Sequence, residues 1–158
     1  MLDKIISCRD GDGKLHKIKT SDLVFRPAVY AIIIKNNKIL LSKEWDGYDY
    51  PGGGIDKGEK TETALVREVK EETGLDTKVE KLLFCDSDIF CRQGSFNHSI
   101  LLYYSCKVIG GEISTSQFTE SEKKYKGLPE WILLDDLKNV RMYNSIDNEK
   151  LIKIALEV

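Results

Sequence analysis

The chain has 158 residues, 41% of them hydrophobic and three of them proline, a composition that fits one compact domain (residues 1–158) with a real apolar core. Twenty-four basic and 26 acidic residues leave a formal charge of −2, which gives no electrostatic reason to expect stable nucleic-acid binding or attachment to a membrane. No apolar run has the length of a membrane span or the layout of a signal peptide, so the expected location is cytoplasmic. The four cysteines, Cys8, Cys85, Cys91 and Cys106, form no CxxC pair, and only His16 and His98 are present to assist them. Reduced, mostly buried thiols are expected rather than a zinc site.

Two β-type runs, Ile5–Arg9 and Leu15–Lys19, flank Asp10-Gly11-Asp12-Gly13, a strong turn signal. They predict an N-terminal hairpin, an extension within residues 1–25 that can serve a homodimer or cover a sheet edge. A nearly continuous apolar run at 29–34, then Asn36-Asn37, then a second run at 39–42, predict a buried hairpin with a two-residue turn. Residues 45–50 read as an aromatic loop. Pro51-Gly52-Gly53-Gly54 forces an irregular backbone, because glycine tolerates conformations that other residues avoid.

The clearest helix is Thr61–Thr73, with Thr61 as N-cap, Glu62 in the first turn and Gly74 just past the C-terminus. Strand-like runs at 79–85 and 99–108 enclose a loop expected at 86–97, and of Tyr103-Tyr104 one side chain should face in and one out. Gly110-Gly111 marks another turn. A short run at 131–134 and two helices, at 135–140 and 147–156, close the chain. Strands with a few helices interspersed predict an α+β fold, an α/β/α sandwich.

The helix carries an unusual charge pattern. With Ala64 at zero on a helical wheel, Glu68 falls near ~40°, Glu71 near ~340° and Glu72 near ~80°, beside Leu65 and Val69 at ~100° and ~140°. Three carboxylates therefore share a face that borders the apolar stripe, where surface acids are normally absent. Like charges at this spacing repel one another, and Arg67 can offset part of that by pairing with Glu71 at i+4. A divalent cation would do more, and hard oxygen donors suit Mg²⁺, with Mn²⁺ as a substitute. Upstream, the glycine-rich bend lets backbone groups approach ions and phosphates closely, and Glu59 adds a fourth acid just before the helix.

This segment resembles the Nudix box, G-x5-E-x7-R-E-U-x-E-E-x-G-U with U a bulky aliphatic residue. Gly53, Glu59, Arg67, Glu68, Val69, Glu71, Glu72, Gly74 and Leu75 stand at every defined position of residues 53–75. The resemblance, to the MutT-like group broadly and to no substrate subfamily, implies a mixed central sheet between helices with the box as loop–helix–loop. It implies metal binding by Glu68 and Glu72, with Glu59 and the Gly53 carbonyl completing the shell. Glu71 would be a further ligand or the base that activates water, and Arg67 would orient a glutamate. The reaction implied is hydrolysis of a phosphoanhydride bond in a small nucleoside diphosphate derivative, with a (d)NTP or related nucleotide first in order. A nucleotide-sugar or dinucleotide pyrophosphatase, or a non-catalytic regulatory nucleotide-binding domain, is the alternative. Isomerase chemistry on an isopentenyl-diphosphate-type substrate would need histidine and cysteine machinery that is poorly supplied here.

Some members of the family place the base on a loop outside the box. Glu120 is the leading candidate here, with Glu122 and Glu130 behind it. Substrate contacts are expected from Trp45 and Tyr48 by stacking and from Lys43 by charge, with Tyr50 and Arg92 as further candidates. Subfamily markers are lacking. An ADP-ribose-type enzyme would carry proline about sixteen residues past Gly74, where this chain has Phe90. The tyrosine of the diadenosine-polyphosphate type and the arginine-rich pattern of the coenzyme A type are likewise missing.

Overall fold

The computed structural model describes residues 3–10, 14–92 and 94–157. The first strands are β1 (Ile5–Arg9), β2 (Leu15–Lys19) and β3 (Val24–Phe25), followed by β4 (Ala28–Ile32), β5 (Ile34–Lys35), β6 (Lys38–Glu44), β7 (Gly47–Asp49) and β8 (Gly52–Gly54). Helix α1 (Thr61–Thr73) leads into two long strands, β9 (Leu75–Arg92) and β10 (Ser95–Gly111). Strand β11 (Glu130–Leu133), a 3-10 turn at Leu134–Asn139 and helix α2 (Asn148–Leu156) finish the chain.

A seven-stranded mixed sheet has the order β2-β1-β9-β10-β4-β8, with β3 also paired to β10. A second sheet of four strands has the order β11-β6-β5, with β7 on β6. Strand β4 shows how the layers arise. Its side chains alternate by the period of two that a strand imposes, so Ala28 and Ile32 enter one core and Val29 and Ala31 enter the other. Leu151 and Ile152 of α2 close the first core, and Ala64, Leu65 and Val69 of α1 close the second. The sheets thus lie between two helices, and the fold is an α+β sandwich of the expected kind.

Several local expectations are met for the reasons given. Asn36 and Asn37 both have positive φ, 52° and 59°, which a two-residue hairpin turn matched to strand twist requires. Gly74 ends α1 at φ 76° and returns its amide to the Lys70 carbonyl. Strands β1 and β2 pair antiparallel, while the turn expected between them falls on residues 11–13, outside the described residues.

Others need correction. Residues 86–97 are not a loop: β9 and β10 pair from Leu75↔Gly111 out to Arg92↔Ser95. The turn-forming character of Asp86 and Asp88 is spent locally, each accepting from the next residue's amide at 2.8 Å. Thr61 is not the N-cap. Lys60 holds that position without a side-chain bond, and the Thr61 hydroxyl instead accepts from Tyr104 Oη at 3.2 Å. Residues 45–50 include a strand, β7, on the edge of β6. The helix expected at 135–140 is a 3-10 turn. Neither Tyr103 nor Tyr104 faces outward: they alternate into opposite cores and both are buried, because both faces of β10 are covered here.

Candidate active site

Helix α1 is amphipathic in the way the wheel predicts. Ala64, Leu65 and Val69 are fully buried, and Glu72, one turn beyond Val69, is carried inward with them. Glu68, Glu71 and Glu72 line a cleft of about 560 Å³ together with Gly52, Gly53 and Gly54 of β8. The glycines are needed for this approach. A Cβ on Gly53 would collide with the Glu68 carboxylate, and one on Gly52 with the backbone of Val29 and Tyr30.

Each carboxylate has a distinct setting. Glu72 accepts from Ser42 Oγ at 2.8 Å and from the Gly52 amide at 3.1 Å through Oε2, and from Lys126 Nζ through Oε1. Burial pushes its pKa up, and Lys126, Ser42 and Gly52 pull it back in part. Burial also raises Glu68, against the pull of Arg67. Glu71 is more open, with 47% of its side chain exposed and Arg67 at 3.5 Å.

Arg67 is the organiser of the loop. Its Nε and Nη2 grip Glu59 at 3.0 and 2.9 Å, Nη1 donates to Glu68 at 2.8 Å, and Nη2 also reaches the Gly54 carbonyl at 3.2 Å. The fork geometry of a guanidinium suits this bidentate contact. The expected i+4 partner, Glu71, is the most distant of its three carboxylates. Glu59 is not among the residues that line the cleft, and its bonds to Arg67 hold its pKa down.

The segment after β10 supplies the opposite wall with Thr119, Glu122, Tyr125 and Lys126. Glu122 accepts from the Thr119 amide and hydroxyl at 2.9 and 2.8 Å and from Lys126 at 3.2 Å. Burial would raise its pKa, but these donors outweigh burial and hold it low. Glu120 is placed differently. Its side chain is 88% exposed, pairs with Lys123 at 2.6 Å and does not line the cleft.

The expected substrate residues separate as well. Strand β6 alternates, so Ser42 and Glu44 face the cleft while Lys43 faces away. Lys43 and Tyr48 both bind Glu130, at 2.7 and 2.9 Å, and form a closed cluster outside the cleft. Trp45 lines an adjoining cavity and stacks on Tyr125 with ring centroids 4.6 Å apart. Tyr50 lines the main cleft, with its hydroxyl donating to Asn148 at 2.7 Å. The side chain of Arg92 lies outside the described residues.

Sequence reasoning missed Arg26, Asp49, Lys126 and Asn144, all of which line one cavity or both. None belongs to a motif. Asp49 carried a weak signal, being an acid inside an aromatic segment. Burial raises its pKa to about 7, even though the Asn144 side chain at 3.0 Å and the Tyr50 amide at 2.8 Å oppose that rise.

The chemistry of the wall tests the fit of a divalent cation. Among the described residues lining the cleft are six carboxylates (Glu44, Asp49, Glu68, Glu71, Glu72 and Glu122) and two cations (Arg26 and Lys126). An anionic pyrophosphate entering such a wall is repelled unless further positive charge accompanies it. The donors are hard oxygens on one helix face, which suits Mg²⁺ or Mn²⁺. No ligand set already converges among the described residues, because Glu68 is turned to Arg67 and Glu72 to Lys126.

This fold and box define a pyrophosphohydrolase of a known class. A family model described as the NUDIX domain matches residues 24–153, and the chain belongs to that family. The chain is 35% identical over 159 aligned residues to a protein of Methanocaldococcus jannaschii named ADP-ribose pyrophosphatase, covering 95% of this chain and 81% of that one. It is also 35% identical to putative nudix hydrolase 1 of Caenorhabditis elegans, covering 80% of this chain but only 33% of that longer protein. An RNA pyrophosphohydrolase of Campylobacter jejuni is 43% identical over 60 residues, 33% of this chain and 38% of its own length. Among solved structures, the MutT NUDIX hydrolase from Burkholderia pseudomallei has a TM-score of 0.61 at 26% identity, covering 85% of this chain and 97% of its own. The NUDIX hydrolase from Nitrosomonas europaea has a TM-score of 0.67 at 19% identity, covering 85% and 90%, and shows the shared fold. The chain is a Nudix hydrolase acting on pyrophosphate bonds, a family whose enzymes generally use a divalent metal. Among its described residues, no helix is long and apolar enough to cross a membrane.

Proposed function

We propose that this enzyme hydrolyses the pyrophosphate of a nucleoside diphosphate joined to a second group, using Mg²⁺ or Mn²⁺ held by Glu68, Glu72 and the Gly53 carbonyl. The supporting observation is the one-sided glutamate face of α1, set against a glycine-cleared backbone in a cleft that runs into a second cavity of about 490 Å³. A (d)NTP has one nucleoside end and leaves less need for two connected chambers. The Methanocaldococcus jannaschii relative, named for ADP-ribose, supports a two-ended substrate, although Phe90 stands where the ADP-ribose type would have proline.

Glu68, Glu72 and the Gly53 carbonyl would hold the cation, which when bound would supply positive charge for the pyrophosphate and lower the pKa of an attacking water. Glu71 is the proposed proton acceptor, since it lines the cleft and is the most open of the three box glutamates. Glu122 faces the same cleft, but three donors occupy its carboxylate and lower its basicity. Arg67 fixes the loop by tying Glu59, Glu68 and the Gly54 carbonyl together. The site acts on a small molecule, and its location in the cytoplasm and a homodimer formed through the N-terminal hairpin remain part of the proposal.

A hydrolysis screen with Mg²⁺ or Mn²⁺ across nucleoside diphosphate sugars, dinucleotides, nucleoside triphosphates and triphosphorylated RNA tests the reading. Activity should fall on the two-ended substrates, vanish with chelator and vanish in Glu72→Gln. Turnover that survives both chelator and Glu72→Gln would sink the metal assignment.

A further inference from the structure

We infer that Lys126 is a further positioning residue of the reaction, one that pairs either with Glu72 or with the pyrophosphate and so makes cation and substrate favour each other's binding. The inference rests on the reading above that Glu72 holds the cation. Lys126 lies outside the box, on the wall that faces α1. Its ammonium spans the two sides, from Glu122 on its own segment to Glu72 on the helix.

The main chain at this residue is fixed. Lys126 faces Glu44 in an isolated antiparallel bridge to the end of β6. On either side of it, the Trp45 amide donates to the Tyr125 carbonyl at 2.8 Å and the Gly127 amide to the Lys43 carbonyl at 3.1 Å. The part free to swing is the side chain, a charge on a flexible four-carbon stem. The buried Phe118 ring, 5.8 Å from Nζ, offers that charge a face without fixing its hydrogen bonds.

An ammonium has three N–H donors. Those of Lys126 meet two acceptors, Glu72 Oε1 and, at 3.2 Å, Glu122 Oε1. The third has no acceptor among the described residues, although only 8% of the side chain is exposed. A nearly buried cation with a spare donor in a cleft wall suits an anionic oxygen. Glu72 is equally constrained. Ser42 and the Gly52 amide hold its Oε2, so Oε1 is the oxygen left for a cation, and Lys126 rests on it.

A divalent ion and an ammonium on one carboxylate oxygen would set positive charges side by side. Lys126 must therefore leave Glu72 before a cation takes that oxygen, which weakens binding of the cation alone. Pyrophosphate oxygens offer the ammonium another partner, while Glu122 keeps it in the cleft. Either ligand by itself bears the whole penalty of freeing Glu72, and the two together bear it once. That is the condition for positive coupling between them.

Calorimetry on the full-length protein tests this without turnover. Mn²⁺ is titrated alone, and α,β-methylene adenosine diphosphate is titrated in chelator and again at saturating Mn²⁺. Lys126→Met should bind Mn²⁺ alone ~10-fold more tightly, and the factor by which Mn²⁺ strengthens analogue binding should shrink by a similar amount. Association of Mn²⁺ with the analogue in solution is common to both proteins and cancels in the comparison. A merely structural lysine would not tighten Mn²⁺ binding when lost. Lys126→Gln, whose amide can still donate to Glu72, carries the same test if Lys126→Met does not fold. Mn²⁺ affinity that is unchanged or weaker in the folded variant would overturn the inference, as would an undiminished coupling factor. If Glu72→Gln at the same time loses Mn²⁺ binding, that failure leaves the metal assignment standing. Unchanged Mn²⁺ affinity in Glu72→Gln would overturn both.

Discussion

Lys126 Nζ rests on Glu72 Oε1 with 8% and 7% of the two side chains exposed, so the central carboxylate of the box is neutralised by a residue 54 positions away. Burial by itself would lower the pKa of Lys126, and Glu72 with Glu122 outweighs it and holds the ammonium charged. Removing one partner of a buried pair leaves an uncompensated charge, at a cost of about 3–5 kcal/mol. Lys126→Met should therefore lower the thermal midpoint clearly in chelator. Added Mg²⁺ should restore more stability to the variant than to the unmodified protein, since Glu72 then lacks a competing partner. Differential scanning calorimetry with and without Mg²⁺ reads both effects.

Arg67→Lys keeps the charge but loses the two-pronged hold on Glu59 and the reach to Gly54. Groups that orient metal ligands are typically worth 10–100-fold in affinity, so Mn²⁺ binding should weaken by about that range. The thermal midpoint should change less than in Lys126→Met. Unchanged Mn²⁺ affinity by calorimetry would refute the organising role.

Gly53→Ala adds a Cβ into the space held by the Glu68 carboxylate. Glu68 must move by a good fraction of an ångström, and displacement on that scale at a reacting centre costs ~10²-fold in rate. Circular dichroism should show a folded protein, with kcat reduced by about that factor.

The three glutamates that compete for the role of base are separable by kinetics. Glu120→Gln should leave kcat unchanged, because an exposed pair with Lys123 contributes little and lies outside the cleft. Glu71→Gln should lower kcat ~10²-fold or more, in the range of a lost general base. Glu122→Gln should fall between them. A collapse of kcat in Glu120→Gln would return the base to that loop position.

Burial raises the folded-state pKa of Asp49 to about 7, above its ordinary value. Between that ordinary value and about 7 the folded protein binds more protons at this group than the unfolded chain does, so its contribution to stability falls as pH rises across that window. Asp49→Asn should flatten this part of the stability–pH curve. Urea midpoints measured from pH 4.5 to pH 7.5 provide the comparison, and an identical slope in the variant would contradict it.

Much of this protein is legible in its sequence, where the signal is local. A 3.6-residue period and a glycine past the end define α1. Two asparagines with positive φ define the turn before β6. Nine box positions fix the family and place Glu68, Glu71 and Glu72 together, because residues three and four apart share a helix face whatever the rest of the fold does. What only the tertiary structure decided are the contacts made across long stretches of chain. Strand alternation turned Lys43 away from the cleft and Ser42 toward Glu72. A 3-10 turn at Glu122–Lys124 brought Glu122 to the cleft and left Glu120 in solvent. The pairing of β9 with β10 made strand of what composition marked as loop. Lys126, Asp49 and Asn144 belong to no motif, and they meet the cleft only because sheets and helices with separate local causes pack into one core. Spacing along the chain determined the reaction, and packing between distant segments determined which residues surround it.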